Sequence, residues 1–168
     1  GKRAVLVFFE SAKELNKCLE SMAFQDKKDE IEVLTEEANS QERETRVRRA
    51  TSSGQITFLT KTFGRGTDFI CQDEIVEKNG GVHVIQTFVS EEFSEEVQIR
   101  GRTARQGNFG SYSMVLLESS LEKFLIKSED IENVKKGKSL ADKIFSALNI
   151  GEKKYDTIYE LIDERRNE

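Results

Sequence analysis

The most constraining stretch is Ala4-Val5-Leu6-Val7-Phe8-Phe9, an unbroken apolar run rich in β-branched and aromatic residues. A strand with one wet face alternates apolar and polar side chains; this one does not, so both of its faces must be covered. A parallel sheet packed between helices does that. Further strands read at Ile31–Leu34, Ile56–Thr60, Val82–Phe88 and Tyr112–Leu117. Between them lie helical patterns. Ser11 with Glu14 three positions on makes a capping box, and Leu15, Cys18, Leu19 and Met22 repeat at helical spacing. Thr35 opens a long polar helix reaching about Ser52, and another runs from about Glu91 to Arg100. Strands alternating with helices predict an α/β fold, a mainly parallel sheet of five or six strands flanked by helices.

A chain of 168 residues suits one domain plus an appendage. Beyond Phe124 the strand pattern stops. Leu140, Ile144, Phe145 and Leu148 mark one amphipathic helix, and Tyr155, Ile158, Tyr159 and Ile162 another, with Asn149-Ile150-Gly151 between them. The division expected is therefore 1–124 for the α/β domain and 125–168 for a C-terminal helical appendage. Net charge is −5 with 34% charged residues, which argues against strong nucleic-acid binding, although a local basic patch stays open. The arginines of the long polar helix, Arg43, Arg46, Arg48 and Arg49, interleave with Glu42 and Glu44 and read as a solvated face. Cys18 and Cys71 are too few and too far apart for a metal cluster or a disulfide framework. His83, the one histidine, falls inside a strand and reads as packing. The run at Ala4–Phe9 is too short to span a membrane and has no cleavage site after it. A first residue Gly1 in place of methionine reads as a piece of a longer polypeptide.

Function concentrates in two segments where glycine stands beside arginine. One is Gly64-Arg65-Gly66-Thr67-Asp68, at the carboxyl end of a strand, where open α/β sheets place their ligand loops. The other is Gln98-Ile99-Arg100-Gly101-Arg102-Thr103-Ala104-Arg105-Gln106-Gly107. Glycine lets a backbone turn tightly and approach a phosphate, and arginine supplies a charged fork of donors. The spacing Gln-x-x-Gly-Arg-x-x-Arg resembles motif VI of superfamily 2 helicases, and Gly-Arg-Gly-Thr-Asp resembles their motif V in the form used by SecA, the preprotein translocase ATPase. Gly80-Gly81-Val82-His83-Val84-Ile85-Gln86-Thr87 and Arg105-Gln106-Gly107-Asn108-Phe109-Gly110-Ser111 are also similar to SecA segments. The likeness runs from about residue 4 to about residue 124.

This resemblance implies a RecA-like second motor domain. It implies ATP as cofactor, with Mg²⁺ held by a first RecA-like motor domain of the same polypeptide that is missing here. Arg102 and Arg105 match the motif VI arginines that face the γ-phosphate, with Gln98 beside them as an orienting residue. Gly64, Arg65, Gly66, Thr67, Asp68 and Gly101 match the nucleotide-facing loop positions. The implied partners are that first domain, an unfolded protein substrate and a membrane translocon, and the implied location is cytoplasmic, peripheral to a membrane. No metal-ligating residue is expected in this chain. Gly137-Lys138-Ser139 mimics the end of a Walker A loop, but Glu132 stands where its first glycine should be and no apolar strand precedes it. Asp73-Glu74 mimics a Walker B box without a buried strand leading into it. The chain alone is therefore expected not to hydrolyse ATP.

Departures from the SecA pattern are local. Lys61-Thr62-Phe63 replaces Asn-Met-Ala ahead of motif V. Phe88-Val89-Ser90-Glu91-Glu92-Phe93-Ser94 replaces a basic run, and Ala104 stands where the family has glycine. The motor motifs survive while a family-specific basic surface does not, which weighs against preprotein translocation more than against nucleotide binding; Ala104 is a small change. A nucleic-acid helicase with the same second domain is the alternative reading, and a binding module that has lost its motor is a third.

Overall fold

The computed structural model describes residues 2–104, 107–136 and 157–167. They fall into two compact units, Gly1–Leu116 and Leu117–Glu168. The first is built on a five-stranded sheet, parallel at every pairing, in the order β2-β3-β1-β4-β5. The strands are β1 (Val5–Phe9), β2 (Ile31–Leu34), β3 (Ile56–Thr60), β4 (Val82–Gln86) and β5 (Gly110–Met114). The unbroken apolar run forms the central strand, pairing Val5 with Ile56 on one side and with His83 on the other.

Its two faces feed two cores. Leu6 and Phe8, both fully buried, pack with Leu59, Val84 and Ile99 into one of them. Val7 and Phe9 pack with Leu15 and Phe58 into the other. Helices α2 (Ser40–Arg49), α3 (Glu74–Lys78) and α4 (Phe93–Arg100) contribute to the first core; α1 (Ala12–Leu19) contributes to the second. Ser11 caps α1 as its sequence predicts, accepting from the Glu14 N–H at 3.3 Å.

Several elements differ from their sequence pattern. The polar helix starts at Ser40 rather than after Thr35, because Asn39 Oδ1 accepts from the Glu42 N–H at 2.9 Å and caps it there. Residues Met22–Glu30 form a 3-10 helix that periodicity did not reveal. Asp73, refused as part of a Walker B box, caps α3, accepting from the Ile75 N–H at 2.8 Å. β5 begins two residues earlier than Tyr112 and ends at Met114. In the second unit α5 (Ser128–Lys136) and α6 (Ile158–Asn167) are described. Thr157 and Glu160 form a capping box at the head of α6. The helix expected around Leu140–Leu148 and the Gly137-Lys138-Ser139 triplet lie outside the described residues.

The Gly80-Gly81 turn that introduces β4 shows what its glycines are for. Gly81 has φ +71, and a Cβ there would lie 1.7 Å from the Phe109 carbonyl oxygen. At Gly80, φ is +98 but the nearest atoms are the flexible end of Arg3 at 3.8 Å. Gly81→Ala should destabilise the domain by more than about 3 kcal/mol, combining a left-handed backbone with a backbone clash; Gly80→Ala should cost about 1–2 kcal/mol from the backbone alone. Urea unfolding midpoints of the two variants check the difference.

Candidate functional site

The motif V segment leaves β3 through a short 3-10 turn, Lys61–Gly64. Gly64 is buried hard against α4: a Cβ there would lie 2.7 Å from Ile99 Cγ1, and Ile99 is fully buried. Any side chain at position 64 would push loop and helix apart. Gly66 follows at φ +65 in open space, a turn that only glycine makes freely. Arg65 is exposed and pairs with Glu92 at 3.7 Å, immediately ahead of α4.

The motif VI segment starts on α4 with the half-buried Gln98. Gly101 caps the helix, its N–H donating to the Val97 carbonyl at 2.9 Å. Arg102 is only 9% exposed. Its Nε donates to the Gln98 carbonyl at 3.1 Å, and its Nη1 donates to the carbonyl of Thr67 in the motif V segment. The buried Thr103 hydroxyl donates to the Val82 carbonyl at 2.5 Å and anchors the following residues to the start of β4. Ala104 has φ +53, a region that strains a non-glycine residue by about 1–2 kcal/mol. Glycine, which the SecA pattern places there, would avoid that cost. Arg105 lies outside the described residues.

The two segments thus meet at two points, Gly64 on Ile99 and Thr67 on Arg102. Asp68, Ile70, Arg102, Thr103, Ala104 and Phe109 share the lining of an open cavity of about 80 Å³. A complete small-molecule pocket takes about 300–1,000 Å³. The cavity is therefore too small to enclose a whole ligand of that size, and it places one carboxylate, Asp68, and one guanidinium, Arg102, on a shared open wall. Among the described residues, no group of three or more His, Cys, Asp or Glu is placed to hold a metal ion. His83 sits on the opposite face of β4 from Val84, half-buried, with Nδ1 2.7 Å from Ser111 Oγ. Burial, then the Arg3 charge, hold its pKa below the ordinary histidine value.

Sequence reasoning missed two supports of this site. Arg43, read there as part of a solvated face, donates from Nη2 to Thr67 Oγ1 at 3.1 Å and lies over the Phe63 ring, 4.6 Å from its centroid. The signal was available: at three and four positions either side, Arg43 meets Asn39, Ser40, Arg46 and Val47, none of them acidic. Arg48, by contrast, has Glu44 four positions back and pairs with it at 2.7 Å. The second support is Glu36, which accepts from Thr60 Oγ1 at 2.8 Å and from Thr62 Oγ1, steadying the exit from β3. Burial is the largest influence on Glu36 and pushes its carboxyl up. Hydrogen bonds from Thr62, its own backbone N–H and Thr60 together outweigh it, leaving the carboxyl below its ordinary value.

A parallel five-stranded sheet carrying these two segments side by side defines a RecA-like domain of the kind found second in superfamily 2 motors. The chain belongs to the helicase conserved C-terminal domain family, whose model matches residues 1–107. It is 37% identical over 112 residues to the protein translocase subunit SecA 2 of Bacillus thuringiensis subsp. konkukian, covering 65% of this chain and 13% of that protein. It is 43% identical over 96 residues to the protein translocase subunit SecA of Malacoplasma penetrans, covering 57% of this chain and 6% of that protein. The chain thus matches only a small part of these relatives. Among solved structures, Mss116p bound to single-stranded RNA and AMP-PNP superposes with a TM-score of 0.51 at 21% identity, over 99% of this chain and 29% of that one. The C-terminal part of the Fun30 ATPase domain does so with a TM-score of 0.50 at 13% identity, over 98% of this chain and 47% of that one. At these identities the two structures establish the fold.

Two measurements check the geometry. Gly64→Ala should destabilise the domain by about 1–3 kcal/mol through overpacking, and part of that loss should be recovered when Ile99→Ala is added, a coupling visible in a double-mutant cycle. For Glu36 the sign follows from a folded pKa below the unfolded one. Its contribution is present above the ordinary carboxyl value and is lost as pH falls through the folded value. The melting temperature of Glu36→Gln should therefore lie below wild type at pH 7, and the gap should close on acidification through and below the ordinary glutamate range.

Proposed function

We propose that this chain is the second motor domain of a SecA-like, ATP-driven protein translocase, completing an ATP site whose other wall belongs to a first RecA-like domain of the same polypeptide. The observation that carries this reading is the joining of the two glycine–arginine segments, Gly64 against Ile99 and Thr67 against Arg102, around a cavity too small to be a whole site. ATP bound there, with Mg²⁺ on the first domain, supplies the phosphoryl group whose transfer to water powers the motor. Asp68 offers carboxylate oxygens to a ribose hydroxyl. The Gly64–Thr67 backbone gives close approach. Arg102 holds Thr67 and presents its charge to ground-state phosphate. Arg105 supplies charge to the transition state, and Gln98 orients it.

Identities of 37–43% to translocase subunits favour a protein substrate and a membrane translocon over a nucleic-acid track. Electrostatics on α2 agrees: Arg46 and Arg49 pair with Glu32 and Arg48 pairs with Glu44, so these three arginines are already matched by carboxylates. No helix among the described residues is long and apolar enough to cross a membrane. A cytoplasmic position, peripheral to the membrane, is consistent with this reading.

The test is Arg105→Ala in the full polypeptide, with turnover and nucleotide affinity measured side by side. Turnover should fall about 10³-fold or more while affinity changes little, because the lost charge acts mainly in the transition state. Arg102→Ala should weaken affinity as well, and should also destabilise the fold, since it leaves the Thr67 carbonyl without that donor. Unchanged turnover in Arg105→Ala with a translocation substrate present would overturn the proposal.

A further inference from the structure

We propose that Arg43 is a positioning residue for the motif V loop, holding Thr67 from the α2 side and thereby setting where Asp68 stands. The functional half of this inference rests on the nucleotide-facing reading of that loop. Thr67 is 6% exposed and is tied from two directions. Its carbonyl accepts from Arg102, which follows α4, and its hydroxyl accepts from Arg43, in the first turns of α2. Asp68 is the next residue and lines the cavity.

Arg43 is spent differently from its neighbours on α2. Arg46 donates to the Val33 carbonyl at 2.6 Å and pairs with Glu32 at 3.1 Å, tying the helix to β2. Arg48 pairs with Glu44, and Arg49 approaches Glu32 at 3.8 Å. Among the described residues no carboxylate pairs with Arg43. Its guanidinium lies over the ring of Phe63, itself 1% exposed, within the turn that leads to Gly64. A planar cation over an aromatic face, with one N–H directed at a buried hydroxyl, has a defined orientation that an exposed ion pair lacks. The contact bridges two elements that no backbone hydrogen bond joins directly, so α2 and the motif V loop shift together.

The experiment measures backbone order parameters of this chain by NMR, with variants Arg43→Met, Arg43→Lys and Arg48→Met. Arg43→Met keeps length and removes both the charge and the donor. It should lower the order parameters of Gly66, Thr67 and Asp68 from the rigid range, about 0.85, toward about 0.6, and leave those of β1 and β3 unchanged. Arg43→Lys should recover part of the order, and Arg48→Met should alter none of it. Unaltered order parameters at residues 66–68 in Arg43→Met would overturn the clamp, as would an equal fall in the strands. In the full polypeptide, Arg43→Met should raise the KM for ATP with kcat nearly unchanged, since a displaced Asp68 weakens ground-state binding. A loosened loop with an unmoved KM would retain the clamp and overturn the nucleotide-facing role of the loop.

Discussion

The hydrogen bond from Arg102 to the Thr67 carbonyl is the contact on which the meeting of the two glycine–arginine segments depends. It closes a loop of 35 residues in sequence and is made in a nearly dry environment, where an unmet carbonyl would cost as much as a severed bond. Its geometry requires Gly64 to be glycine, because only a residue without a Cβ lets the motif V turn lie on Ile99. One buried charge and one missing methyl group therefore fix the relation between two segments far apart in the chain. The sheet provides the distance over which they meet; these contacts provide the register.

Support for that register extends outward through polar side chains. Arg43 and Glu36 brace the motif V side, from α2 and from the residues after β2. On the other side the fully buried Gln86 donates to the Phe88 carbonyl at 2.9 Å and to Ser90 Oγ at 3.0 Å, and accepts from the Tyr112 hydroxyl at 3.1 Å. This network shapes the path from β4 toward α4. With every polar atom of the Gln86 amide engaged, the segment leading to motif VI has little freedom to drift.

The sheet and the two motifs were legible in the sequence because each has a one-dimensional signature. The unbroken run at Ala4–Phe9 can only be a strand covered on both faces, and glycine next to arginine at fixed spacing reports a backbone that must turn and approach a charge. What stayed hidden depends on contacts across the fold. Asn39 rather than Thr35 caps α2, a choice between two good caps that goes with Glu36 being drawn to the β3 exit. The cap at Asp73 stayed hidden because the helix it opens has five residues, too few to show a period. Arg43 looked like its neighbours, and only the fold brings Phe63 and Thr67 beneath it. The placement of Arg102 as a buried tie likewise could not be read from the spacing that singled it out.

The order of the strands has a consequence for synthesis. β1 is the centre of the sheet, yet it precedes in the chain both strands that flank it, and Val5 must wait for Ile56 and then for His83 before either edge is satisfied. Neither neighbour can be supplied by a local hairpin, because every pairing is parallel and needs a crossover. A nascent chain that has emerged only through α2 therefore presents its most apolar segment with no partner to either side. Such a segment is the part of this protein that a chaperone, or another copy of the same run, would meet first.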